Sequence, residues 1–136
     1  MGNMTPKGAI DYLQPIADNA ELTGYSEALG MALDALQKVH DMETARSVYR
    51  EVLETFGAEW QVRKCLEELA ELGVAVPHCY DGKDKPGHVA EEIADVGIML
   101  EQMAMLFNCE TEVERMRRYK LRRLEQRIEE ARHERH

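Results

Sequence analysis

The chain has 136 residues, 44% apolar, 32% charged and only 6% aromatic, enough for one ordinary domain to bury a core without disulfide or metal staples. Its net charge of −9 repels polynucleotides, so stable nucleic-acid binding is not expected. No run approaches the ~20 apolar residues of a membrane span, so no membrane partner is expected either.

Three cysteines, Cys65, Cys79 and Cys109, have no CxxC spacing, and no N-terminal apolar stretch has the form of a signal peptide. Reduced thiols in the cytoplasm are therefore expected. His78, Cys79 and His88 raise the idea of a zinc loop, but three candidates at irregular spacing fall short of a tetrahedral site.

β-branched runs are scarce and eight methionines are present, which suits helix packing and predicts an all-α fold. Thr5 followed by Pro6 reads as an N-cap with proline at the first helical position, opening a helix to about residue 17. A turn through residues 19–24 leads to a second helix over about 26–40, with Ala28, Leu29, Ala32, Leu33 and Leu36 on one stripe. Together these form a short N-terminal helical hairpin, residues 1–42, with no chemical constellation of its own.

The second domain, residues 43–136, begins with a helix to Phe56 stopped by Gly57. Another helix runs over about 58–76 and ends at Pro77. Residues 78–87 are rich in turn formers and read as a loop. A helix over about 88–107 follows. After Asn108 and Cys109, Thr111 with Glu114 has the form of a capping box opening a last helix to about residue 132.

Two segments stand out, Glu67-Glu68-Leu69-Ala70-Glu71 and Glu91-Glu92-Ile93-Ala94-Asp95. Residues i and i+3 share a helix face, so each segment can present two carboxylates to one cation. Hard oxygen donors favour Mg²⁺, with Mn²⁺ a second choice. Acidic pairs are usually solvated helix surface, and helical phase separates the two cases. At about 100° per residue, Val96, Met99, Met103 and Leu106 fall within roughly 40° of Glu92. Glu92 therefore points from the centre of an apolar stripe and Asp95 from its edge. An unpaired buried carboxylate is costly, so Glu92 requires a cation or a proton. Glu68 borders the arc of Val62, Cys65, Leu69 and Leu72, and Glu71 lies further toward the polar side.

EELAEL at 67–72 and EEIADV at 91–96, followed by an Asn-Cys turn and YKLRRLEQRI at 119–128, resemble the ExxE…ExxD signature and last helix of the MazG-like, all-α nucleoside triphosphate pyrophosphohydrolases, most closely the short phage and bacterial members. The resemblance covers roughly residues 45–130. It implies a helical bundle of that type and magnesium coordination by Glu68, Glu71, Glu92 and Asp95. It also implies homo-oligomers, dimers or tetramers, with a nucleoside triphosphate as substrate.

Phosphate contacts in that family come from the last helix, which makes Lys120 and Arg123 the candidates here. The alternative for this basic stripe, seven Lys/Arg between Arg115 and Arg127 with one acid, is pairing with neighbouring acids along the helix. For the base, only Trp60 and Gln61 offer themselves, and Trp60 serves equally as a core residue.

The implied reaction is attack of water on the α-phosphorus with pyrophosphate leaving, Glu68 and Glu71 being the catalytic carboxylates and Glu71 a candidate base. A P-loop is absent, and a di-iron bundle would require Glu-x-x-His pairs that neither segment supplies. The competing class is a non-catalytic phage-type helical adaptor with a vestigial acidic site.

Overall fold

The computed structural model describes residues 4–19 and 26–134. Every regular element among them is a helix: α1 (Pro6–Ala17), α2 (Ser26–Phe56), α3 (Ala58–Tyr80), α4 (Pro86–Leu106) and α5 (Glu110–His133). The expected turn after Asn19 lies outside the described residues. None of these helices is long and apolar enough to cross a membrane.

Internal contacts divide the chain into Met1–Glu51 and Val52–His136. In the first unit, α1 starts as expected: the Thr5 side chain accepts from the Gly8 amide at 3.1 Å, and Pro6 follows it. Leu33, on the expected stripe, is buried. The break expected between residues 40 and 43 does not exist. No Gly or Pro occurs there, Gln37 Nε2 donates to Asp41 Oδ1 at 2.7 Å, and Thr44 Oγ1 donates to the His40 carbonyl at 2.9 Å. One helix of 31 residues therefore runs to Phe56. Gly57 stops it with φ +84°, a conformation that penalises any side chain.

In the second unit, α3 passes through Pro77 instead of ending there. Proline removes the bond that residue 77 would have donated toward Gly73 and its ring crowds that carbonyl, yet the helix continues through it. The true stop is Gly82, at φ +71°: its amide donates to the Cys79 carbonyl at 3.0 Å and that of Lys83 to His78 at 2.9 Å, a Schellman closure. Residues 81–85 then connect to α4, which starts at Pro86, two residues earlier than expected.

Asn108, at φ +51°, closes α4 in the same way, with Cys109 donating to Ala104 at 2.9 Å and Asn108 to Met105 at 3.1 Å. This turn launches α5 from Cys109, so Thr111 lies inside the helix and the expected capping box does not form.

α3 and α4 pack as an antiparallel pair. Their shared face has an unusual lining. Buried apolar side chains in this unit are Cys65, Ala75 and Val96, whereas Gln61, Glu68, Glu92 and Gln102 are buried and polar. Larger apolar residues such as Leu66, Leu69, Ile93 and Leu100 are exposed. The buried stripe of α3 therefore runs through Glu68 itself, and not beside it.

Candidate metal centre

Antiparallel packing brings the two acidic segments together. Ligand oxygens of Glu68, Glu92 and Asp95 lie within 4.8 Å of one another, the only such group among the described residues. Glu68 is 6% exposed, Glu92 8%, and Asp95 is half-buried. His78 and Cys79 sit on the last turn of α3 and form no such group with His88, so the structure builds no zinc loop.

Each buried glutamate has a nitrogen donor one turn before it. Lys64 Nζ lies 2.6 Å from Glu68 Oε1 and 3.1 Å from Glu67 Oε1. These hydrogen bonds push the Lys64 ammonium above its ordinary pKa, and the same ammonium holds the Glu68 carboxyl below the usual range. On α4, His88 Nε2 lies 3.1 Å from Glu92 Oε1. His88 Nδ1 bonds to Asp84 Oδ2, while Asp84 Oδ1 accepts from the Lys85 amide at 2.7 Å. Asp84 raises the His88 imidazole, and His88 lowers the Asp84 carboxyl. As imidazolium, His88 donates from both nitrogens.

One atom in this arrangement has no partner. Glu92 Oε2 is buried and makes no hydrogen bond. Leaving such a group unsatisfied costs about 1–3 kcal/mol or more when it is charged. A divalent cation between Glu92, Glu68 and Asp95 satisfies it with the donor set that Mg²⁺ and Mn²⁺ prefer.

Glu71, the fourth expected ligand, stands outside the trio. It is exposed, and a hydrogen bond to Glu68 raises its carboxyl above the usual range. Without a cation, neighbouring carboxylates repel, and that repulsion favours the protonated form of Glu71.

Glu71 instead lines a cleft of about 430 Å³, walled by Ala70, Val74, Ala75 and His78 of α3 on one side and by Asp84, His88 and Glu92 on the other. The expected substrate contacts are not on it. Trp60 is half-exposed and stacks on Phe56 at 5.0 Å between ring centroids. Gln61 is fully buried with both amide atoms unpartnered, closed to any ligand.

Lys120, Arg123 and Arg127 line a separate groove on α5, a helix exposed from Thr111 to Glu134. Arg115, Arg117 and Arg118 pair with Glu112 or Glu114 in the manner of an ordinary helix surface, while Arg123 lies over the Tyr119 ring at 5.9 Å.

Sequence reasoning missed Lys64 and weighed His88 only for a zinc loop. Their signal was present, since each precedes its buried glutamate by four residues, one helical turn.

No protein-family model, no curated protein and no solved structure matches this chain.

Proposed function

We propose that this chain is a Mg²⁺-dependent nucleoside triphosphate pyrophosphohydrolase, converting a (d)NTP and water to (d)NMP and pyrophosphate, in the manner of the MazG-like family its motifs resemble. The observation that carries the reading is the buried, unpartnered Glu92 Oε2, on a carboxylate grouped with those of Glu68 and Asp95. Surface acids do not need a cation, whereas a buried, unpartnered carboxylate oxygen calls for a cation or a proton.

Glu68, Glu92 and Asp95 would hold the metal, joined by Glu71. Bound there, Mg²⁺ supplies charge neutralisation for the phosphates and a lowered pKa for water at the α-phosphorus. Glu71, exposed on the cleft beside Glu68, is placed to take the water's proton. Lys64 screens the repulsion between Glu67 and Glu68. Lys120 and Arg123 are proposed to meet the phosphates from a second copy of the chain. Exposed apolar residues along α5 (Val113, Met116, Leu121, Leu124 and Ile128) support self-association. The free thiols Cys65, Cys79 and Cys109 suit a reducing cytoplasm and a role in clearing the nucleotide pool.

A panel of NTPs and dNTPs with Mg²⁺, scored separately for pyrophosphate and orthophosphate, tests this. Pyrophosphate as the first product is expected. Orthophosphate first would overturn α-phosphorus attack, and Mg²⁺ binding without turnover on any nucleotide would favour a non-catalytic adaptor.

A further inference from the structure

Asp84, His88 and Glu92 follow one another at four-residue intervals, from the connection before α4 into its first two turns. Each link is geometrically defined. The Lys85 amide fixes Asp84 Oδ1, Asp84 Oδ2 holds His88 Nδ1, and His88 Nε2 faces Glu92 Oε1 at 3.1 Å. A carboxylate is planar, so fixing one oxygen narrows where the other can point. The other is Oε2, buried and unpartnered, on a carboxylate that offers an oxygen within 4.8 Å of ligand oxygens of Glu68 and Asp95.

We infer that His88 is a positioning residue: it grips Glu92 by Oε1 so that Oε2 is presented, already oriented, to a divalent cation shared with Glu68 and Asp95. This deepens the cation-site reading and rests on it. Lys64 makes a similar contact to Glu68, but it is a flexible point donor divided between two acids. His88 is rigid and anchored at its far side, which is the arrangement by which outer partners tune metal ligands. Its side chain is 48% exposed, so replacing it leaves the buried face intact.

The test uses the full chain and Mn²⁺ alone, with the dissociation constant read by calorimetry or by the free-ion paramagnetic signal. His88→Asn places its amide near the Nδ1 position and reaches Asp84 only. His88→Gln places its amide near Nε2 and reaches Glu92. The expected result is that His88→Asn weakens Mn²⁺ binding about ten- to a hundredfold, while His88→Gln stays within about threefold of wild type.

Equal affinity in wild type and His88→Asn would overturn the positioning role and leave the cation site standing. Equal weakening in both variants would also overturn it, since the contact to Glu92 would then be irrelevant. Absence of Mn²⁺ binding in the wild-type chain would bring down the cation site together with this inference.

Discussion

Helix α5 carries more ionisable side chains than the face shared by α3 and α4, yet it poses little physical problem. Its residues are exposed from Thr111 onward, and its acids and bases either meet solvent or pair one turn apart, as Arg115 does with Glu112. Such pairs contribute little either way. On the α3–α4 face, Glu68 and Glu92 are more than nine-tenths buried, and one oxygen of Glu92 is left with nothing to accept from. Charge count does not distinguish the two regions. What distinguishes them is whether a neighbouring helix has taken the water away.

The comparison breaks most sharply at Glu92. Glu92→Gln keeps the volume and removes the charge, and Asp95→Asn does the same at the rim. Either is expected to lower pyrophosphate release by roughly a thousandfold, several kcal/mol of metal assistance at about 1.4 kcal/mol per tenfold. Full turnover in Glu92→Gln would make the buried face as inert as α5.

Next in size is the response to metal. Mg²⁺ at about a hundred times its Kd stabilises a site-bearing fold by about 2.7 kcal/mol, a rise of roughly 10 °C in melting temperature. Wild type should show this rise by calorimetry and Glu92→Gln should not. A rise of the same size in both would move the cation elsewhere.

A smaller effect tests whether α5 is idle. Lys120→Ala with Arg123→Ala is expected to raise KM about tenfold, the loss of a charge-assisted hydrogen bond of about 1.5 kcal/mol. The melting temperature should stay unchanged, and an unchanged KM would leave α5 a solvated surface.

The smallest effect comes from Asp84 and His88, half-exposed and linked to the buried face. A raised His88 stabilises the fold fully below its ordinary value of 6.5 and loses that as pH climbs through its folded value. A lowered Asp84 contributes fully above its ordinary 3.8 and loses that as pH falls through its folded value. The melting-temperature gap between wild type and Asp84→Asn, measured in a chelator, should therefore be widest between about pH 3.8 and 6.5. A gap flat across pH would mean the pair is not coupled to folding.

Helices, and the acid at the centre of the α4 stripe, were legible because a 3.6-residue period is written directly in residue types. Glu68 was less so. Its burial depends on α3 turning a face of Gln61, Cys65 and Ala75 inward while Leu66 and Leu69 face out, and apolar pattern alone ranks those residues the other way. Pro77 misled for a related reason. A proline weakens a helix locally, but the end is set by the left-handed residue downstream, Gly82, and its two carbonyl bonds. Gln61 and Trp60 show the limit at the site: residue type suggested base recognition, and only packing reveals that one is sealed in and the other leans on Phe56.

The passage of α3 through Pro77 has a dynamic consequence. With no amide at 77 to bond toward Gly73, the turn bearing His78 relies on the Gly82 closure for its tethering. That turn forms one rim of the cleft, whereas Glu68 lies about three helical turns back along α3. Local opening should therefore start at the rim, with the amides near residues 79–83 exchanging with deuterium sooner than those around Glu68. A bulky guest could thus widen the mouth while the acidic layer beneath stays shut.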